Sequence, residues 1–268
     1  MIKSDLRTPF DRLWRGKDIF QEVFALEGEE FRNVKNRRTF RIEVDGKGFF
    51  VKIHRGVGWK EIFKNLLQFK LPVTGAANEY NALEKLHSIG VATMETAAFG
   101  ERNSNPAAKE SFLVTRELTN VISLEELFAK EKVSGVQKRI FIRTLAESAG
   151  KMHRAGINHR DCYICHYLWH RDLPECRLSV IDLHRAQIRK KVPFRYHVKD
   201  VAGLLFSSFD IPLSRRDVWR FIHCYAQRDV RLELAENSRF YRAVYAAAVK
   251  LYQKEHKSMP AHDPFAGK

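Results

Sequence analysis

Residues 158–169 read NHRDCYICHYLW, and residues 180–189 read VIDLHRAQIR. Each stretch carries one carboxylate among basic side chains: Asp161 in the His159-Arg160-Asp161 triplet, and Asp182 directly after Val180 and Ile181. The apolar residues before Asp182 predict a short strand at 178–181 that ends on that carboxylate. Two uses follow. Asp161 is placed to accept the proton of an attacking hydroxyl and to align it. Asp182 offers the oxygen ligands that a hard cation such as Mg2+ takes.

Outward from these stretches, two more residues join in a fixed order. Lys52 lies within FFVKIHR, near the end of an apolar strand, and Glu79 falls in the first turns of the helix expected at 77–88. Singly, Lys52 reads as an edge-strand lysine and Glu79 as a solvated helix residue, and three letters such as HRD occur by chance. Together, a strand Lys, a helix Glu, an HRD loop and a strand-ending Asp are the parts for phosphoryl transfer on a protein-kinase-like fold. Lys52 would hold nucleotide phosphates, Glu79 would fix that ammonium, and the four side chains would converge on one nucleotide pocket. An ordinary ionised carboxylate suffices at Asp161, because the transition state is loose.

The rest of the chain supports an α+β class with an antiparallel sheet first and a mostly helical second half. Residues 1–28 read as mixed and helical, anchored by Phe10, Leu13, Trp14 and Phe20. Strands are expected at 30–34, 39–44 and 49–53, with Asp45-Gly46 as a hairpin turn. Residues 59–70 change to helical period through Trp59, Ile62, Phe63, Leu66 and Leu67, with Lys60, Glu61, Lys64 and Gln68 opposite and Pro72 as the stop. This basic amphipathic helix suits either a membrane surface or packing on its own lobe. Strands follow at 94–99 and 111–116, joined by the polar loop ERNSNPAAKE. Helices are expected at 123–130, 136–154 (Phe141, Leu145, Ala149 and Met152 inward), 198–209, 214–225 and 238–255, with short strands at 167–169 and 178–181. Ser214 and Asp217 have the spacing of a capping box. The two lobes are drawn at 1–118 and 119–268, with Glu117 and Leu118 at the junction as candidate nucleotide contacts. The end, KSMPAHDPFAGK, reads as loose.

Composition bounds the function. The chain has 268 residues, 44% of them hydrophobic, and a net charge of +15 with a pI near 9.8. That apolar content excludes a wholly disordered chain, and no segment reaches the ~18 apolar residues of a membrane span. The charged N-terminus lacks a signal-peptide pattern, and four cysteines make no disulfide framework, so a reducing cytoplasm is expected. The charge calls for a polyanionic neighbour: nucleic acid, an anionic membrane, a phosphorylated substrate or an acidic protein.

Against the general kinase pattern there are departures. The place five residues after Asp161, where an Asn holds a second metal, is His166. Imidazole is a poorer Mg2+ partner than an amide oxygen. DFG becomes Asp182-Leu183-His184, and the stretch from there to Asp200 is too short for a long switched activation loop. The first hairpin lacks a glycine-rich loop, and its turn VKNRR offers Lys35, Arg37 and Arg38 as a phosphate clamp instead.

NHRDCYICHYLW followed by VIDLHRAQIR resembles the lipopolysaccharide core heptose I kinases of Gram-negative bacteria, a group related to the Kdo kinases. The likeness runs from the first hairpin to the last helix, and its most specific part is His166 in the HRD loop. The resemblance implies a two-lobed protein-kinase-like fold. It implies ATP- and Mg2+-dependent phosphorylation of the first heptose, at O-4, of a lipid A–core acceptor, on the cytoplasmic face of the inner membrane. By motif match Asp161 becomes the base, Asp182 with His166 the metal site, and Lys52 with Glu79 the phosphate-holding pair. His159, Arg160 and Asp200 become supports of the loop. His184, Arg185, Arg189, Lys190 and Lys191, just past the metal residue, are candidates for acceptor docking. A basic rim would concentrate an anionic lipid-linked acceptor.

Other readings compete. Residues 162–166 spell CYICH, a haem-attachment pattern that would require export. Cys162, Cys165, His166 and Cys176 would have to gather for zinc. No nucleic-acid-binding signature accompanies the charge. A pseudokinase scaffold conflicts with the intact Lys52, Asp161 and Asp182, and a kinase acting on protein or another small hydroxylated substrate shares the same parts.

Overall fold

The structure, a computed structural model, describes residues 2–34, 36–56, 58–67 and 75–261, without the side chains at 60, 61 and 64–66. The expectations for Lys35, Lys60, Glu61, Lys64, Leu66, Gln68, Pro72 and the last seven residues lie outside what is described. The chain divides into two units: residues 1–85 with 94–118, and residues 86–93 with 119–268. Residues 86–93 count with the second unit because Thr93 bridges Val180, its hydroxyl donating to the Val180 carbonyl at 2.6 Å.

The first unit is a six-stranded antiparallel sheet. Its elements are β1 (Ile2–Leu6), α1 (Phe10–Leu13), α2 (Ile19–Ala25), β2 (Glu29–Val34), β3 (Arg37–Val44), β4 (Lys47–Arg55), α3 (Gly58–Leu67), α4 (Ala77–Ser88), β5 (Thr96–Arg102) and β6 (Glu110–Arg116). The spatial order is β1-β5-β6-β4-β3-β2. Period-2 alternation sends Phe40, Ile42, Phe49, Val51 and Ile53 to one face, where α1 and α2 cover them with Phe10, Trp14, Phe20 and Val23. The rings meet edge-on, Phe10 against Phe49 at 5.1 Å and Phe20 against Phe112 at 5.4 Å, the geometry that aromatic quadrupoles favour. Leu13, expected as an anchor, is 39% exposed. The turn of α1 that buries Phe10 and Trp14 aims the residue between them outward.

Residues 2–6 form a strand where helix was expected. β1 is an edge strand of mostly exposed residues, paired on one side with β5 (Leu6 opposite Ala98), so it has no buried face to imprint an apolar pattern.

The second unit contains β7 (Val121–Ser123), α5 (Leu124–Lys130), α6 (Gly135–Arg154), β8 (Ile157–Asn158), β9 (Tyr167–His170), β10 (Leu178–Val180), β11 (Gln187–Ile188), α7 (Phe194–Phe206), α8 (Arg215–Ala226) and α9 (Val230–His256). Phe141, Leu145, Ala149 and Met152 are all buried on α6. Ser214 and Asp217 make the reciprocal capping box of α8. The last helix begins at Val230, with Asp229 capping it, and not at 238. The two segments join at Asn237, whose backbone leaves the helical region (φ −114°, ψ 24°) while its amide donates to Glu233. Helix α7 likewise starts at Phe194, after Pro193. β8 pairs antiparallel with β11, which sets the loop after β8 beside the turn before β11. Those two segments carry Asp161 and Asp182.

Candidate active site

In the first unit, strand parity turns Lys52 away from the aromatic core, because Val51 and Ile53 occupy that face. Its Nζ donates to Glu79 Oε1 at 2.6 Å. The Glu79 side chain is 2% exposed and that of Lys52 21%, so the carboxylate is buried and depends on the ammonium for compensation.

The same parity separates the expected phosphate clamp. Arg37 shares the Lys52 side of the sheet, cross-paired with His54. Arg38 shares the parity of Phe40 and so lies on the opposite, core-covered face. There it stacks on the Phe40 ring at 4.2 Å, donates to the Glu30 carboxylate at 2.7 Å and donates to the Leu26 carbonyl. Those bonds take Arg38 out of any phosphate clamp built around Lys52. Arg41, which sequence reasoning missed, lies on the Lys52 side and pairs with Glu117 at 2.8 Å. Gly48 leaves the space that this carboxylate fills; a Cβ there would come within 1.7 Å of Glu117 Oε2. Glu117 is thus engaged by Arg41, and Leu118 follows it half-buried at the end of the sheet.

In the second unit, Asp200 on α7 is 1% exposed and accepts from the backbone N–H of His159 at 2.6 Å and of Arg160 at 2.9 Å. These bonds hold Arg160 in the left-handed region (φ 76°), which turns the chain so that Asp161 projects from the loop. Gly203, one turn further along α7, lets the helix approach: a Cβ would meet the Cys162 carbonyl at 2.5 Å. A buried relay backs Asp200. His153 on α6 faces it through Nε2 at 3.3 Å, takes the Tyr225 hydroxyl on Nδ1 at 2.7 Å, and Tyr225 contacts His197. Burial pushes the His197 imidazole down to about 4, so the ring is neutral near pH 7. No local motif marks His153, Tyr225 or His197; only the packing of α6, α7 and α8 brings them together.

The Asp161 carboxylate receives Arg185 Nη1 on both oxygens, at 2.7 and 2.9 Å, and Lys199 Nζ stands 4.0 Å away. Asp182 has left-handed backbone (φ 59°, ψ 49°), and its Oδ1 accepts from His184 Nδ1 at 2.5 Å. His166 Nδ1 bonds the Asp161 carbonyl at 2.7 Å and must therefore carry the proton there. In the neutral ring, its Nε2 lone pair then faces Asp182 Oδ2 at 3.6 Å. His159 stacks on His166 at 5.6 Å and donates through Nε2 to the Ile181 carbonyl at 2.9 Å. Burial keeps His159 below the usual imidazole range, which suits its packing role.

Two electron-pair donors facing each other across 3.6 Å suit a divalent cation. Among the described residues no group of three or more His, Cys, Asp or Glu gathers as a metal cage. Asp182 and His166 would hold such a cation, the carboxylate as the oxygen ligand that Mg2+ prefers and the imidazole as the weaker partner. Among the described residues Cys162, Cys165, His166 and Cys176 form no metal-holding group. Cys162 is buried against the Tyr167 hydroxyl, and burial pushes its thiol well above the usual range and that of Cys165 up to about 11.

Of the five residues expected to dock an acceptor, three are occupied within the unit. Arg185 lies on Asp161 and His184 on Asp182. Arg189 bonds Asn158 and Gln187 and stacks on Tyr196 at 4.8 Å. Lys190 and Lys191 are exposed.

A family profile described as Lipopolysaccharide kinase (Kdo/WaaP) family matches residues 21–225. The lipopolysaccharide core heptose(I) kinase WaaP of Pseudomonas aeruginosa is 49% identical over 94% of this chain and 97% of the relative. A protein of the same name from Escherichia coli is 46% identical over 93% and 97%. Among solved structures, WaaP in complex with acyl carrier protein matches with a TM-score of 0.80 at 43% identity, covering 93% of this chain and 99% of that one. The protein-kinase-like α+β fold read from the sequence is the fold of that relative. On a profile that covers most of the chain and relatives that span nearly all of it, this protein belongs to the lipopolysaccharide kinase (Kdo/WaaP) family.

Proposed function

We propose that this protein transfers the γ-phosphoryl group of ATP to O-4 of the first heptose of the lipopolysaccharide inner core, on a lipid A–Kdo acceptor. The observation that carries it is the coincidence of two facts. The Lys52–Glu79 pair and the Asp161 and Asp182 loops are all present, in a chain 49% identical over 94% of its length to a named heptose(I) kinase. Lys52 binds phosphate oxygens and Glu79 keeps its ammonium aimed. Arg37, on the same side of the sheet as Lys52, adds positive charge there. Asp161 orients the heptose hydroxyl and takes its proton as the oxygen bonds the γ-phosphorus and the bond to the β,γ-bridging oxygen breaks, releasing ADP. Asp182 and His166 would hold Mg2+, which neutralises charge on the phosphates when bound. Lys190 and Lys191 offer exposed cations to an anionic acceptor.

The protein acts at the cytoplasmic face of the inner membrane, where its lipid-linked acceptor is presented. No described helix is long and apolar enough to cross a membrane. Helix α3 instead buries Ile62 and exposes Trp59, Phe63 and Leu67, an arrangement suited to lying in a bilayer surface. An acidic carrier protein is a second partner. One relative was solved with an acyl carrier protein, and the second unit here has a partly open apolar pocket of about 440 Å³, lined by Phe128, Phe141, Leu145, Leu204 and Ile222. That lining suits an acyl chain, and the net charge of +15 suits an acidic protein.

Mass spectrometry of lipid A–core from cells with and without this protein tests the substrate. Loss of one inner-core phosphate is expected without it, and phosphorus NMR of the product is expected to place the ester on O-4. An unchanged core would rule the substrate out. Mass spectrometry of the purified protein in native form is expected to show a bound acyl carrier protein.

A further inference from the structure

A carboxylate on a loop has two free side-chain torsions, and proton acceptance requires that it be aimed. The backbone of Asp161 is held by the Asp200 bonds to the preceding N–H and by His166 on its own carbonyl. The side chain is held from elsewhere. Arg185 ends the short 3-10 turn Leu183–Arg185 that begins directly after Asp182. It donates from one nitrogen to both Asp161 oxygens, at 2.7 and 2.9 Å. Lys199, which would be the alternative cation, is 4.0 Å off and spends a bond on the Arg160 carbonyl at 2.6 Å.

We propose that Arg185 is a positioning residue for the base: it acts through Asp161, fixing the direction of its carboxylate, and does not dock the acceptor. A carboxylate has about four lone-pair sites, so one bond to each oxygen leaves a lone pair free on both for an incoming hydroxyl. The bond is charge-assisted and reaches both oxygens, so it holds the carboxylate still. Because Arg185 and Asp182 share one short turn, the placement of the cation-binding residue and the aim of the base move together. This inference rests on Asp161 being the base.

Steady-state transfer from γ-labelled ATP to lipid A–core acceptor, with melting temperature as a folding control, tests it in the full-length protein. Arg185→Ala is expected to lower kcat by about 10²-fold, the scale of a misaimed reacting group, with both KM values within about twofold. Arg185→Lys, which keeps one donor for one oxygen, is expected to recover about tenfold of that loss and to serve should the alanine variant fold poorly. In an Asp161→Ala background, removing Arg185 is expected to cost no further activity within about twofold, because a residue acting only through Asp161 is coupled to it. A raised acceptor KM with unchanged kcat would make Arg185 an acceptor contact and overturn the proposal. So would additive losses in the double variant, or wild-type kinetics in Arg185→Ala. Wild-type activity in Asp161→Ala alone would remove the base assignment itself, a separate failure.

Discussion

Glu79 and Asp200 are both buried carboxylates, one in each unit, and they are compensated in opposite ways. Among the described residues Glu79 meets the side-chain ammonium of Lys52, which stays 21% exposed. Asp200 meets fixed backbone: two consecutive N–H groups of the Asp161 loop, with a histidine–tyrosine relay behind. The first arrangement leaves a cation aimed yet able to engage phosphate. The second fixes a loop and commits Asp200 to nothing else. Where charge has to meet a ligand the fold uses a side-chain pair, and where geometry has to be kept it uses the backbone.

That contrast can be broken experimentally. Asp200→Ala leaves the buried His159 N–H, the part-buried Arg160 N–H and His153 without their acceptor, each worth roughly 1–3 kcal/mol, so unfolding titrations should show a loss of about 3–9 kcal/mol. Activity should disappear with it. A variant as stable as wild type would mean that the loop is held by something other than Asp200. Lys52→Met should cost about 2–3 kcal/mol, less than a fully buried pair because the lysine is partly exposed. A double variant, Lys52→Met with Glu79→Leu, should recover most of that stability and none of the activity. Recovery of both would assign Lys52 no part in transfer.

The relay behind Asp200 gives a pH signature. His197 titrates near 4 in the folded protein and near its ordinary 6.5 once unfolded. Between these values the unfolded chain binds more protons, so stability is full above about pH 6.5 and falls as pH drops toward 4. At about 1.4 kcal/mol per unit this amounts to a few kcal/mol at most. His197→Gln should make the fall in melting temperature over that window shallower, leaving the part contributed by His159 and His170, which burial also lowers. An equally steep decline in the variant would place the titration elsewhere. The smallest effect is expected at Arg38, which faces the covered side of the sheet. Arg38→Ala should leave KM for ATP within about twofold and cost at most about 1 kcal/mol, the scale of a partly exposed ion pair. A large rise in KM would put Arg38 back in the nucleotide site.

The candidate catalytic stretches are legible because their pattern is local: Asp161 sits in its triplet and Asp182 at the end of its strand. Lys52 was legible because its strand alternates. The same alternation, extended one strand back, marks Arg38 as sharing a face with Phe40 and Ile42 and points to Arg41 in its stead, a signal present but unused. What no local pattern carries is contact across the sequence. Arg41 and Glu117 are 76 residues apart, and His153 and Tyr225 are 72 apart. β1 was missed for a different reason. An edge strand of polar residues needs only a neighbour's backbone, so its side chains record nothing of it.

The central claim is that Asp161 drives phosphoryl transfer from ATP to a core heptose. Its most direct test is the transfer of label from γ-labelled ATP to dephosphorylated lipid A–core by the wild-type protein and by Asp161→Ala of matched melting temperature. Labelled heptose is expected with the wild type, and a rate lower by about 10³-fold with the variant. Equal labelling by both proteins, or label that never reaches the sugar, would contradict it.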